Sequence, residues 1–184
     1  SVVRVEGEID INDLNRGDYS GEEVAKRMER ASVLAQVDIH RAATHNKGVM
    51  NGIHAVVLAT GNDTRGAEAS AHAYAARDGQ YRGIATWKYD EARGRLVGTI
   101  EVPMTLAIVG GGTKVLPVAK ASLDLLNVES ARELGHVVAA VGLAQNFSAC
   151  RALVSEGIQK GHMSLQYKSL AISVGAQGEE IAQI

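Results

Sequence analysis

Between Arg41 and Arg65 the chain reads RAATHNKGVMNGIHAVVLATGNDTR: a polar, glycine-bearing segment, an aliphatic run, then a second polar, glycine-bearing segment. The run from Ile53 to Thr60 is mostly aliphatic residues and alanine, and reads as a buried helix or strand that fixes both flanks. Lys47 lies in the first flank and Asp63 in the second, so one rigid element holds a lysine and an acid. A surface salt bridge between two loop ends is the ordinary outcome for such a pair. Its setting argues for more. Arg41, Thr44, His45, Asn46 and Asn51 all lie within six residues of Lys47, together with Gly48 and Gly52. Glycine admits close approach of backbone or ligand, and arginine and asparagine grip carboxylates and carbonyls through directional hydrogen bonds. Arg41 to Gly52 therefore reads as a loop entering the next helix, and as a site for a small, oxygen-rich anion.

The remaining elements can be placed around that stretch. Residues 1–11, SVVRVEGEIDI, alternate apolar and polar as a half-buried strand does. Ser20 precedes a helix whose third residue is Glu23, a capping-box arrangement, and an apolar face then runs to about Gln36. Asn62 or Asp63 is placed to cap an alanine-rich helix over residues 67–77, a role compatible with pairing to Lys47. YRGIATWKYD, EARG and RLVGTIEV read as strand, turn and strand, a β-hairpin with Gly94 in the turn that Pro103 ends. After an apolar strand end and a triple glycine, a helix runs to about Leu126. A longer helix over 129–150 follows, with Leu134, Val137, Val138, Val141 and Leu143 as its buried stripe. Its helical pattern continues over 152–158, and Gln159 to Met163 break it. The fold class expected is α+β, with helices packed on a mainly antiparallel sheet.

Composition narrows the function. A hydrophobic share of 46% over 184 residues supports one compact core, and a net charge of −2 disfavours nucleic acid or a membrane surface as partner. With one phenylalanine and one tryptophan against 20 glycines, the core must be aliphatic and closely packed, without aromatic platforms for stacking bases. Cys150 is the sole cysteine, which rules out an intrachain disulfide and a cysteine-based metal cluster and suggests a reducing, cytoplasmic setting. No apolar run is expected to approach the roughly 20 residues that span a bilayer. The histidine spacings suggest no metal, and the chain reads as cut at both ends.

Three smaller features carry chemistry. Gly110 to Gly112, followed by Thr113 and Lys114, invite comparison with a phosphate cradle but match neither the Walker pattern nor the dinucleotide fingerprint, so close backbone approach is the rival reading. Gln145 and Asn146 interrupt the apolar face of the long helix, as either the lining of a polar pocket or a satisfied packing contact. His162 follows Gly161 at the start of a new segment, where a titratable group on a mobile hinge is suggested over an ordinary surface histidine.

The strings RAATHNKGVMNG, ATGNDTR, VGGGTKVLP, VGLAQN and EGIQKGHMSL, in this order and spacing, resemble the catalytic large domain of a hydroxymethylglutaryl-CoA reductase of the bacterial and archaeal second class. The resemblance runs from about Arg4 to Gly178. It implies reduction of 3-hydroxy-3-methylglutaryl-CoA to mevalonate and CoA with two NADH or NADPH, or the reverse. Lys47 would stabilise the oxyanion at the thioester carbonyl, Asp63 would hold and tune that lysine, and His162 on a C-terminal flap would protonate the departing thiolate. Arg41 and Asn51 would bind the hydroxymethylglutaryl moiety, with Gln145 lining the pocket. Residues 1–158 would be the large-domain portion and 159–184 the hinge and start of the flap. The family places its sites at a dimer interface, so a homodimer or higher assembly is expected. The family's Glu-Asn-x-x-Gly and Asp-Ala-Met-Gly-Ala-Asn strings do not occur here, so the cofactor-binding residues are expected outside this chain. A non-catalytic acyl-CoA-binding or assembly fragment is the alternative.

Overall fold

The computed structural model describes the backbone of residues 1–182, and the side chains of residues 1–113, 115–157 and 166–181. Its frame is a three-stranded antiparallel sheet in the order β1-β3-β2, formed by β1 (Val2–Asp10), β2 (Ala85–Asp90) and β3 (Arg95–Pro103). The expected hairpin is present, although pairing starts at Ala85 and not at Tyr81. Alternation explains the sheet's sidedness. Leu96, Gly98, Ile100 and Val102 of β3 are buried, and the residues between them are only partly so.

Gly7 of β1, Gly98 of β3 and Trp87 of β2 form one row across the sheet. A side chain at Gly98 would overlap the Trp87 ring, so the glycine makes room for the indole to lie across the sheet. That is how a chain with one tryptophan covers its only sheet.

Helices pack on that covered face. α1 (Gly21–Val37) lies on β2, and α6 (Ala131–Val154) lies on β1 and β3. α2 (Ile39–Ala59) packs over both helices, and α3 (Thr64–Ala75) joins α2 to β3. Met28, Ile53, Leu96, Ile100 and Leu134 are fully buried where these layers meet. Ser20 caps α1 by accepting the Glu23 N–H, as expected, but the Glu23 carboxylate turns to Arg27 instead of completing a capping box. α3 buries Ala67, Ala71 and Ala75, a four-residue spacing whose small side chains permit close approach.

The second half departs from expectation in three places. Residues 104–109 form no strand, and the single helix expected after the triple glycine is two: α4 (Gly111–Val115) and α5 (Pro117–Leu126). Pro117 explains the division, because it starts a helix readily and cannot continue one. In α6, Val137 is only half-buried and Val141 is exposed, since the burial stripe instead runs through Leu134, Val138, Gly142, Leu143 and Asn146. The break after α6 falls at Ser155–Gly157, where Gly157 takes φ +82°, and not at residues 159–163. Those residues are already inside α7 (Ile158–Ser173), which α8 (Glu179–Ala182) follows.

α6 has the length and apolarity to cross a membrane, contrary to the expectation that no run approaches that size. It serves as a core helix, with β1, β3, α1 and α2 packed around it.

Candidate active site

Residues 39–59 form one continuous helix, so the polar segment 41–52 is its first half and not a loop. Asp38 caps it, accepting the Arg41 N–H at 2.6 Å. Two glycines in a helix interior cost about 1 kcal/mol each. Here they bring α6 close. A Cβ at Gly52 would lie 2.8 Å from the Val141 carbonyl oxygen and 2.9 Å from Gln145 Cβ, and one at Gly142 would lie 2.8 Å from Ile53 Cγ1. Gln145 is thereby seated against Gly52, next to Asn51.

The helical repeat sorts the polar residues onto separate faces. Lys47, Asn51 and Leu58 point away from the core and are exposed, and Lys47 makes no hydrogen bond or ion pair among the described residues. Gln145 is exposed as well. Arg41 turns toward α6, where Nη2 lies 3.9 Å from Cys150 Sγ and the buried Nε–H has no partner among the described residues.

Beneath this surface is a buried polar cluster. His45 Nε2 lies 2.9 Å from the Ala85 carbonyl oxygen, which can only accept, so the proton resides on Nε2 and Nδ1 faces Cys150 Sγ at 3.9 Å. Burial, then the charge of Arg41, push the His45 pKa down to about 4. Burial pushes the Cys150 thiol up, against the pull of Arg41. Asn146 accepts the Trp87 indole N–H at 2.8 Å and its amide reaches the His45 carbonyl at 3.4 Å. The Gln145–Asn146 pair is therefore split: Asn146 is a satisfied packing contact and Gln145 faces out.

Asp63 caps α3, its Oδ1 accepting the N–H groups of Arg65 at 3.1 Å and Gly66 at 3.0 Å. Oδ2 hangs over Gly66, where a Cβ would approach it to 2.6 Å, and it accepts no hydrogen bond among the described residues. Lys47 and Asp63 are not brought together. From Lys47 to Ala59 the helix rises about 18 Å, and the turn that leads to Asp63 then bonds back to the Val57 carbonyl through the Asn62 N–H. His162 falls within α7, and its side chain lies outside the described residues.

The described residues do not form the Rossmann type of dinucleotide site. Each adjacent strand pair is antiparallel, β1 and β2 flank β3 and are joined through α1–α3, and the triple glycine opens only the five-residue α4 and no Rossmann-type glycine turn between a parallel strand and its helix. A Cβ at Gly112 would lie 3.2 Å from the Gly61 carbonyl oxygen, so that glycine serves close approach to the Asp63 turn.

A family model for hydroxymethylglutaryl-coenzyme A reductase matches residues 2–167. The chain belongs to that family. The 3-hydroxy-3-methylglutaryl-coenzyme A reductase of Archaeoglobus fulgidus is 54% identical over 164 residues, covering 89% of this chain and 37% of the relative. A probable reductase of the same name from Borreliella burgdorferi is 40% identical over 162 residues, covering 88% of this chain and 37% of the relative. The solved reductase of Streptococcus pneumoniae superposes with a TM-score of 0.82 at 49% identity, covering all of this chain and 44% of its own. A structure of the class II enzyme from that organism bound to NADPH, in open conformations, gives 0.81 at 49% identity over 99% of this chain and 44% of its own. The chain thus spans 37% of the length of the curated relatives it matches.

Within a reductase-family chain, the motif residues divide by location. Lys47, Asn51 and Gln145 gather at the α2–α6 crossing, Arg41 lies one to two turns away on the flank facing α6, and Asp63 stands at the far end of α2. Sequence reasoning missed His45 as a buried support of that crossing, whereas Asn146 fulfils the packing-contact alternative. The His45 signal was present in the helical repeat, which places Arg41, His45, Gly48 and Gly52 on one face.

Proposed function

We propose that this chain carries the lysine and aspartate surfaces of a hydroxymethylglutaryl-CoA reductase, reducing the acyl-CoA to mevalonate and CoA with two NADH or NADPH, or running the reverse. The observation that carries the reading is that Lys47 and Asp63 are both exposed and lack an ion-pair partner among the described residues, Lys47 near the middle of α2 and Asp63 beyond its C-terminal end, in a chain of this family. A second copy would bring the Asp63 of one subunit to the Lys47 of the other. Leu58 on the exposed face of α2, with Val115, Val118 and Leu125 of α4 and α5, supplies apolar surface for such a homodimer or higher assembly.

The residues then act as follows. The Lys47 ammonium faces the carbonyl oxygen of the thioester and stabilises the negative charge that develops there, an effect worth several kcal/mol when preorganised. Asp63 Oδ2 holds that ammonium in place. Arg41, Asn51 and Gln145 grip the hydroxymethylglutaryl carboxylate and hydroxyl. His162, on a flap formed by residues 159–184, delivers a proton to the departing thiolate sulfur and so prevents its return. The hydride donor is bound by polypeptide other than the residues described here. The enzyme works in the cytoplasm, in keeping with a single buried cysteine.

One rival is a fragment that binds acyl-CoA without turnover. Loss of nicotinamide absorbance with hydroxymethylglutaryl-CoA separates the two. Oxidation that requires the acyl-CoA and disappears in Lys47→Ala establishes the reductase, whereas tight acyl-CoA binding with no oxidation establishes the fragment.

A further inference from the structure

The turn that carries Asp63 is held by a side chain with no role so far. Asn62 Oδ1 accepts the Ala107 N–H at 2.7 Å and Nδ2 donates to the Ala107 carbonyl at 3.0 Å, a two-point grip on one residue 45 positions away. The same Nδ2 lies 3.1 Å from the hydroxyl of the buried Thr60. From the other side, the Asn62 N–H reaches the Val57 carbonyl at 2.9 Å, closing the end of α2. Gly61 takes φ +68°, and a Cβ there would press to 3.1 Å on Ala119 of α5. The turn is therefore anchored to α2, to the 104–109 segment and to α5 at once.

We propose that Asn62 is a positioning residue for Asp63: by clamping Ala107 it sets the direction in which Asp63 presents its free carboxylate oxygen. The inference deepens the reading of Asp63 as the acid that holds the catalytic lysine, and rests on it. Stability alone does not call for the clamp. Ala107 is exposed, so water would satisfy its N–H and C=O. What water cannot do is fix the peptide that leads into Asp63. With Oδ1 committed to the Arg65 and Gly66 N–H groups, the carboxylate has one orientation relative to α3, and the Asn62 peptide sets how that unit faces outward. A site assembled between two subunits depends on such a direction, since a displacement of about 1 Å can cost about 100-fold in rate.

The test has two arms. In the 184-residue protein, backbone amide exchange is read at Arg65 and Gly66, whose N–H groups report the Asp63 cap. Asn62→Ala is expected to speed exchange there by about tenfold while leaving β3 unchanged, and unchanged exchange at both amides overturns the proposal. If Asn62→Ala does not melt cooperatively, Asn62→Ser is read by the same criterion, since its hydroxyl cannot span to Ala107. In enzyme that turns over, Asn62→Ala is expected to lower kcat about 10- to 100-fold with KM for the acyl-CoA nearly unchanged. The double variant should be no worse than Asp63→Asn, and additive losses overturn the proposal. Full activity in Asp63→Asn would instead sink the reading of Asp63 itself, and the exchange arm would still decide what Asn62 orients.

Discussion

Lys47 stands near the middle of α2 on its exposed face, and Asp63 caps the next helix beyond the C-terminal end of α2, with no ion pair between them among the described residues. On the proposed reading, a site that uses both takes them from two copies of the chain.

That geometry predicts complementation. Lys47→Ala and Asp63→Asn are each expected to lower turnover by about 100-fold or more while leaving the far-ultraviolet circular dichroism unchanged, because both side chains are exposed. Mixing the two under conditions of subunit exchange should restore activity to about a quarter of wild type, since a random mixture of dimers places one intact site in half of them. Activity that stays at the level of the single variants in verified mixed dimers would show that both residues act from one subunit.

His45 predicts a pH dependence of stability. It is buried and neutral in the fold with a pKa near 4, whereas its ordinary value is 6.5. The depressed histidine contributes its full stability above its unfolded pKa. As pH falls from 6.5 toward 4 the unfolded chain takes up a proton that the native chain refuses, so stability is lost across that window. The loss is on the order of 3 kcal/mol. Denaturant melts at pH 7 and pH 4.5 measure it, and His45→Gln should flatten the difference. An equal slope in that variant would assign the acid sensitivity to other groups.

Much of the fold was legible because its signals are local. The alternation of β1, the hairpin around Gly94 and the Ser20 and Asp63 caps each follow from a few neighbouring residues. The first half of α2 was not, because Gly48 and Gly52 read as loop residues until the α6 backbone is in place against them. The same non-local packing hid the burial of His45 and left the role of Asn146 open between two readings, since their partners Ala85 and Trp87 are 40 and 59 residues away. Lys47, Asn51 and Gln145, singled out by motif, lie at the α2–α6 crossing, and Arg41 lies on the α2 flank that faces α6. The expected pairing of Lys47 with Asp63 is not present in the single chain among the described residues.

The Trp87 row makes a third prediction. Gly98→Ala would push a methyl into the indole ring, at a cost of about 1–3 kcal/mol. Because Trp87 is the only tryptophan, its fluorescence reports the site directly. A red-shifted emission together with a lower melting temperature is expected. A variant with unchanged emission would mean that the ring does not lie across β3.

The α2–α6 crossing makes the last. Gly52→Ala places a methyl within 2.8 Å of the Val141 carbonyl oxygen and 2.9 Å of Gln145 Cβ. The backbone contact cannot yield by a rotamer change, so α6 must shift. The expected destabilisation is about 1–3 kcal/mol, against the small gain that alanine offers over glycine in a helix. The shift also carries Gln145 away from Asn51 and Arg41, so KM for the acyl-CoA should rise several-fold more than kcat falls. At Gly48 the nearest atom to an added methyl would be Ala149 Cβ at 3.9 Å, an ordinary contact. Gly48→Ala should therefore be neutral or stabilising by up to about 1 kcal/mol. Thermal melts of the two variants decide the matter: equal effects at both positions would show that the helices are not in contact where Gly52 meets Val141, and the placement of Gln145 at the site would fall with that contact.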